Sequence, residues 1–420
     1  MKRLISLSVI SFLGLASLAF AKGDELSLEE FLDQAVKQRP EIEAAHWREA
    51  VAAAQLDTTR AAILPTLEAG PVITRGEPGG SSVFGWNGNI SAAMRSGQGF
   101  AGSVKYTAWD FGRTSANLRA GTADVQFTQA ESERIQGDLL ISLAQDYLNC
   151  ARNRSLVELL NPLKMQTAEI RDTIERLVKT GQRTPVDGHL ARAQALEVDT
   201  QIQIAQERIL FEQRQLGISL GRTAVTCLNL ESLSTTVPEF PGSQGAHPWI
   251  VSARTRSTAA QERLRGAHSE RAPRLQLLGN GGYFDSDKLP NPWNYSVSVA
   301  LAIPLWDAKI GSEIRRAEAT QKQVDAELKT TELRLKAFQI AAEERFRVSE
   351  TQVQSLEREN NEALLGFAVA KQRYQKSVGM LIELRETVRN LIRVSSAFAA
   401  AKAELVNARF LLSWYRGKPN

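Results

Sequence analysis

The stretches "VKYTAWDFGRTSANLRAG" at residues 104–121 and "VALAIPLWDAKIGSEIRRA" at residues 299–317 decide the fold of this chain. Each begins with residues of alternating character, passes through a Trp-Asp step and opens a very long segment. Only Pro162 interrupts the first segment, and no proline interrupts the second between Ala308 and Val378. Alternation is typical of a half-buried strand, whereas a long proline-free run is typical of a helix. Each stretch therefore predicts a strand that leads directly into a long helix.

The two stretches belong to a tandem duplication. Four landmark pairs recur in the same order: Pro40 with Pro248, Pro65 with Pro273, Trp109 with Trp306, and Gly181 with Gly379. The members of the first two pairs are 208 residues apart, and those of the last two are 197 and 198 residues apart. A single change of spacing, in the loop between two strands, explains all four pairs.

Each half is predicted to contain a helix, two strands and a long helical hairpin, so the fold class is mainly α with a β portion. Apolar residues at heptad spacing, such as Leu328, Leu335 and Ala342, indicate coiled-coil packing. The predicted segments are a signal peptide at 1–21, a first repeat at 22–225 with strands at 66–75 and 99–109 and a hairpin at 112–221, and a second repeat at 226–420 with strands at 274–284 and 294–305 and a hairpin at 308–417.

The signal peptide is predicted from Lys2 and Arg3, which precede an apolar run ending in Ala19-Phe20-Ala21. The alternative is an uncleaved N-terminal helix. Half of the formal net charge of +4 comes from Lys2 and Arg3. The remaining charge is too weak to indicate a nucleic-acid partner.

The clearest strand, "NYSVSVALAIPL" at residues 294–305, places apolar residues on one face and small or polar residues on the other. Strands of about ten residues suit a bilayer crossing at a tilt. A soluble antiparallel sheet fits the strand pattern equally well. Four strands cannot close a barrel, since small barrels need about eight, so a membrane role requires several copies of the chain.

The Trp-Asp steps acquire a physical role in a membrane sheet. Trp109 and Trp306 are predicted to lie where a strand leaves the bilayer, because aromatic side chains favour that interface. Asp110 and Asp307 are predicted to cap the amides at the start of the following helices. The alternative makes the tryptophans core residues and the aspartates ordinary caps.

With these features the chain resembles the TolC-like outer-membrane efflux proteins. The resemblance covers nearly the whole chain after the signal peptide, and it rests on the duplication together with "RPEIEAA", "AAILPTL", "AWDFG", "IPLWDA" and "TGQRTPVD". It implies a homotrimer with a 12-stranded β-barrel in the outer membrane of a Gram-negative bacterium, continued by a coiled-coil tunnel in the periplasm. The implied partners are outer-membrane lipid, a periplasmic adaptor (membrane fusion) protein and an inner-membrane transporter, in a tripartite efflux or type I secretion system that exports small molecules or proteins.

The resemblance also assigns roles to the turns of the two hairpins. Gly181 and Gly379 match the glycines that adaptors recognise. The charged residues after them match a periplasmic aperture, and these are Arg183, Asp187, Glu383, Arg385 and Glu386. The alternative for each charge is a solvated face near a helix turn.

Other functions receive little support from the sequence. Scattered histidines, without H-E-x-x-H, G-x-S-x-G or a phosphate-binding loop, argue against an enzyme, and no cofactor or metal is expected. A periplasmic coiled-coil adaptor or a structural protein of the envelope is the alternative function. Such adaptors lack duplicated strand pairs between their helices.

Cys150 and Cys227 are the only cysteines. Helix rise from Gly112 places Cys150 about 57 Å from the strands, and the returning helix ends at about the same level, just before Cys227. A disulfide is therefore possible in an oxidising compartment, and two buried thiols are the alternative.

Overall fold

The computed structural model describes residues 25–74, 97–233, 240, 245–285, 292–376 and 378–416. The predicted signal peptide lies outside the described residues. The elements of the first half are β1 (Glu25–Leu26), α1 (Leu28–Gln38), α2 (Pro40–Ala61), β2 (Thr66–Thr74), β3 (Gly97–Trp109), α3 (Arg113–Lys179) and α4 (Pro185–Ser219).

The second half repeats this order, with a 3₁₀ turn in the place of α1. Its elements are β4 (Thr226–Cys227), a 3₁₀ turn (Leu230–Ser232), α5 (Pro248–Ser269), β5 (Arg274–Asp285), β6 (Trp293–Ala302), α6 (Ala308–Gln375) and α7 (Leu381–Arg416). The predicted mainly α fold class, with its helix–strand–strand–hairpin order, is confirmed.

One predicted strand is too long. β6 pairs only as far as Ala302, whereas the alternating pattern continues to Leu305. Pro304 has no N–H to donate to a neighbouring strand, so the sheet stops short of it.

Local sequence signals account for the helix starts. The hydroxyl of Ser27 accepts from the Glu30 amide and the Glu30 carboxylate accepts from the Ser27 amide, which forms a capping box at α1. Pro40 and Pro248 occupy the first turn of α2 and α5, where a missing N–H costs nothing. Pro162 lies within α3, and the helix continues through it.

The four long strands form one antiparallel sheet in the order β2–β3–β5–β6. Pairing of β3 with β5 joins the two repeats. β2 and β6 are the edges of this sheet.

The helices follow the same order as the strands. α3 packs between α2 and α5 and, farther along, between α4 and α7, and α6 packs against α5 and α7. The protomer therefore has α2 and α4 at one side and α6 at the other.

Two buried clusters hold the helices together. The belt cluster joins α1, α3, β4 and α7 through side chains that include Phe31, Tyr147, Cys150, Cys227 and Trp414. The tip cluster joins both hairpins near their turns through side chains that include Ile174, Val198, Phe367, Leu384 and Val388. Both clusters are built from the helices, the short β1–β4 pair and their connections, so they hold the helices to one another.

Candidate channel and docking sites

The sheet has one apolar and one polar face. Directly paired residues share a face, so each row across the sheet can be read from the strand register. An apolar row is Leu67–Val104–Gly279–Val297, and the next row is Glu68–Ser103–Asn280–Ser296. On the apolar face the side chains of Tyr295 and Val297 are 90% and 81% exposed. The described part of one chain therefore leaves this apolar face uncovered.

A β-bulge determines where Trp109 points. Thr107 pairs with Gln276, but the next pair along is Trp109 with Leu275, so Ala108 has no partner in the ladder. Strict alternation would put Trp109 on the polar face with Thr107. The extra residue turns it to the apolar face that Leu275 occupies. Sequence reasoning missed this bulge, because it shows only in the register between strands.

The two tryptophans of the Trp-Asp steps lie at the same end of the sheet, where strands pass into long helices. Trp109 is 60% exposed and makes an edge-to-face contact with Phe111 at a centroid distance of 6.0 Å. Trp306 follows the end of β6 and is 87% exposed. Both indoles are therefore available to an environment outside the protomer.

The aspartates after these tryptophans accept from helix N-terminal amides in different ways. Asp307 is the N-cap of α6, and its carboxylate accepts from the Lys309 amide at 2.8 Å. The Asp110 carboxylate accepts from the Thr114 amide at 2.8 Å, while Gly112 occupies the N-cap position of α3. Gly112 has φ of +89°, a left-handed conformation that favours glycine.

The turn of the first hairpin brings three predicted site residues together. Gly181 ends α3 with φ of +73°. Asp187 forms a capping box with Thr184 at the start of α4, with amide-to-oxygen distances of 3.3 Å in both directions. The Arg183 guanidinium lies 5.2 Å from the ring centroid of Tyr374 on α6. This turn therefore contacts the second hairpin through a cation–π pair.

The turn of the second hairpin is built differently. The backbone of Gly379 lies against α6, where a Cβ atom would be 3.1 Å from the Arg373 side chain. Glu383 pairs with Arg373 at 3.4 Å, and Glu386 pairs with Arg389 at 3.7 Å. These two carboxylates therefore already have partners within their own hairpin.

Arg385 has no ion pair among the residues that the structure describes. Of the five predicted aperture residues, Arg385 is the one for which the described part of the chain provides no ion pair, hydrogen bond or ring contact.

Two ion pairs join the hairpins just above these turns. Lys371 of α6 pairs with Glu169 of α3 at 3.0 Å, and Arg389 of α7 pairs with Glu197 of α4 at 3.3 Å. All four side chains are partly exposed, so each pair contributes only about 0–1 kcal/mol. The apolar tip cluster beneath them is the main contact between the hairpins at this end.

The belt cluster contains a disulfide between Cys150 of α3 and Cys227 of β4, with an S–S distance of 2.04 Å. β4 also pairs in parallel with β1. The Tyr147 hydroxyl bridges the two segments, donating to the Leu26 carbonyl at 2.6 Å and accepting from the Leu228 amide at 2.8 Å. Sequence reasoning missed the β1–β4 pair, since two-residue strands have no periodic signal.

The described part of the chain contains no group of three or more histidine, cysteine or acidic side chains that could hold a metal ion. None of its helices combines the length and the apolar character needed to cross a membrane.

Comparison with known proteins gives a family match over part of the chain and a fold. Residues 31–222 match the family model of the outer membrane efflux proteins. No curated protein sequence matches the chain. Among solved structures, the outer membrane protein VceC of Vibrio cholerae is 18% identical with a TM-score of 0.79, and the match covers 93% of this chain and 96% of VceC.

Two further solved structures have the same fold. A membrane protein from Pseudomonas aeruginosa is 18% identical with a TM-score of 0.80, over 99% of this chain and 96% of that one. The CmeC outer membrane channel of Campylobacter jejuni is 16% identical with a TM-score of 0.78, over 99% of this chain and 94% of CmeC. The resemblance inferred from the sequence is therefore confirmed: residues 31–222 carry the sequence pattern of the outer membrane efflux proteins, and the chain has the fold of outer membrane channels.

Proposed function

We propose that the chain is the outer-membrane channel of a tripartite export system, which passes small molecules or proteins outward from the periplasm. One observation carries the proposal: a sheet with an uncovered apolar face continues into two long helical hairpins. Lipid covers such a face in a membrane, while the polar face lines a water-filled interior. The family match favours the same role. We expect no catalytic activity.

The duplication supports a homotrimer. Within the protomer, α3 is flanked by α5 and α7 of the second repeat, and β3 pairs with β5. By the internal symmetry, α2 and α4 of the next copy would pack against α6 of one copy. In the same way, β2 of the next copy would pair with β6. Three copies would then close a ring of twelve strands above a helical tunnel.

Exposed apolar side chains fit this arrangement. α4 leaves Leu196 and Phe211 63% and 57% exposed, and α6 leaves Ile340 67% exposed. By contrast, Leu384 and Val394 of α7 are completely buried. Burial of the exposed side chains between copies would stabilise the ring by the hydrophobic effect.

Four substitutions on β6 test the membrane assignment. Val297→Asp and Leu301→Asp place a carboxylate on the apolar face, where it is destabilising, although by less than the roughly 2–4 kcal/mol that an Arg or Lys costs at the bilayer midplane. Both variants should lose the trimer that wild-type protein gives in the outer-membrane fraction. Ser296→Asp and Ser298→Asp, on the polar face of the same strand, are the matched controls and should keep it. A soluble monomer of the wild-type chain, with the same helicity, would contradict the proposal and favour an adaptor or structural protein.

The hairpin turns are proposed to dock the periplasmic adaptor, with Gly181 and Gly379 at the contact, and the adaptor would connect the channel to the inner-membrane transporter. Arg183, Asp187, Glu383, Arg385 and Glu386 are proposed to line the closed aperture. Trp109 and Trp306 are proposed to lie at the membrane interface, in contact with outer-membrane lipid.

Single-channel conductance in planar bilayers tests the aperture. Asp187→Ala removes the capping box and Glu383→Ala releases Arg373, so either change should loosen the turns and raise the conductance. Glu29→Ala, an exposed charge on α1 near the belt, is the control. Wild-type conductance in both variants and in the double variant would exclude this assignment.

A further inference from the structure

Gln194 is a buried polar side chain in the middle of the tip cluster. It lies on α4 between Ala191 and Val198, both of which are buried on the same face of the helix. The Gln194 side chain is only 2% exposed. Within the described part of the chain, neither its amide nitrogen nor its amide oxygen has a hydrogen-bond partner. The packed tip therefore encloses both unsatisfied polar atoms.

Several other buried side chains in the described part of the hairpins, such as Asn153 and Asn407, leave one polar atom without a partner, whereas Gln194 leaves both ends of its amide without one. Other buried polar groups are fully paired. Asn360 of α6 and Ser395 of α7 are 5% and 3% exposed, and the Ser395 hydroxyl donates to the Asn360 side-chain oxygen at 3.0 Å. Thr167 of α3, also buried, donates to the Leu163 carbonyl at 2.9 Å. Since native proteins satisfy most buried polar groups, the unsatisfied amide of Gln194 needs an explanation.

The position of Gln194 supplies one. Around it α4 meets α3 and α7, and the Glu197–Arg389 ion pair one turn away joins α4 to the second hairpin. If the ends of the two hairpins separate, water enters the tip cluster. Water would then satisfy both ends of the Gln194 amide, which favours the separated arrangement over the packed one.

We propose that Gln194 acts as a built-in destabilising residue that lowers the free energy needed to open the tips of the hairpins. An apolar side chain there would extend the tip cluster through α4 and hold the hairpins together. With the amide in place, the packed state of the tips is only moderately more stable than the open state. This inference rests on the proposed channel function, because opening matters only where the tips close a passage.

Hydrogen exchange of the full chain in detergent tests the proposal without requiring a channel measurement. Gln194→Met keeps the length of the side chain and removes both polar ends, and Gln194→Leu is a second apolar replacement. In both variants the backbone amides of α4 near the turn should exchange about tenfold more slowly than in wild type, because the unsatisfied groups are gone. The open lifetime of single channels in planar bilayers should fall in the same variants.

The matched control should change the exchange rate in the opposite direction. Asn360→Leu removes the partner of the buried Ser395 hydroxyl and should speed exchange of the α6 and α7 amides around these two residues. Unchanged or faster exchange in both Gln194 variants would overturn the proposal. If wild-type protein conducts no ions, the channel function fails, while the exchange rates still decide the role of Gln194.

Discussion

The indole of Trp414 fills the space that a side chain on Gly137 would need: a Cβ atom on Gly137 would lie 2.1 Å from Cη2 of the indole. Trp414 is 2% exposed, and its ring centroid lies 5.3 Å from that of Phe240 and 4.6 Å from that of His247. The last turn of α7 therefore packs directly against the backbone of α3, with no side chain between them. This contact fastens the end of the second repeat to the first repeat at the belt.

Gly137→Ala should lower the midpoint of thermal unfolding, Tm, because the new methyl group displaces the indole. Overpacking of a well-filled core costs about 1–3 kcal/mol. Circular dichroism of the protein in detergent measures the change. Gly366→Ala, at a helical position with no atom within 4 Å of the added Cβ, is the control and should raise Tm. A Tm for Gly137→Ala at or above that of wild type would contradict the assigned contact.

The Cys150–Cys227 disulfide should make a large contribution to stability, because the cysteines are 77 residues apart in the chain. In the chain-entropy model a loop of this length contributes about 4 kcal/mol. The double variant Cys150→Ser/Cys227→Ser should therefore unfold at a lower temperature. Reductant should lower the Tm of wild type towards that of the variant and leave the variant unchanged. Equal Tm values with and without reductant in wild type would show that the bridge contributes nothing.

Deletion of Ala108 should leave membrane assembly intact, because it removes the bulge but keeps Trp109 opposite Leu275 on the apolar face of the sheet. Deletion of both Thr107 and Ala108 would place Trp109 opposite Gln276 on the polar face, and should leave less chain in the outer-membrane fraction at equal expression. Ala108→Ser keeps the number of residues in the strand and should assemble like wild type. Equal assembly of the two deletion variants would mean that the face on which Trp109 lies is unimportant.

His247 should make stability depend on pH. Its ring makes an edge-to-face contact with Trp414 of the belt cluster, and burial lowers its pKa from 6.5 to about 4. As the pH falls from 6.5 towards 4, the unfolded chain binds a proton that the folded chain excludes. The stability that the neutral ring contributes is therefore present above pH 6.5 and is lost over this range.

His247→Asn isolates this effect, because asparagine can still cap α5 but does not titrate. Burial raises the pKa of the Asp138, Asp146 and Glu212 carboxyls, which acts in the opposite direction in both proteins. The difference in Tm between wild type and variant should therefore shift against wild type as the pH falls below 6.5. A constant difference from pH 7 to pH 4.5 would contradict the lowered pKa.

The elements that sequence reasoning predicted are those with a long periodic signal. The duplicated order, the alternation in β3 and β6 and the uninterrupted run of α6 all extend over ten or more residues. The duplication supports these predictions, since a pattern that occurs twice at matching positions is hard to attribute to chance. Only the end of β6 was placed too far along, because Pro304 stops the pairing while the alternation continues.

The features that were missed depend on contacts between distant residues. The bulge at Ala108 exists only relative to β5, and the belt contact of Gly137 exists only because α7 ends beside it. The burial of Gln194 also has no signal in a helix rich in polar residues. Predictions for the hairpin turns concerned charge types, whereas the structure adds the partners of Glu383 and Glu386 within the hairpin. Their role at an aperture, like docking at Gly181 and Gly379, stays a prediction.

The disulfide gives the two hairpins different covalent connectivity. The first hairpin, from Cys150 through its turn to Cys227, is a closed ring of chain, whereas the second is an open loop that ends in α7. A protease that cuts the first turn would leave both fragments linked until the bridge is reduced. The same cut at the second turn would leave α7 held by packing alone, with Trp414 as its last anchor. Where proteases of the cell envelope reach the exposed turns, the first half of the duplicated fold thus tolerates a backbone break that the second half does not.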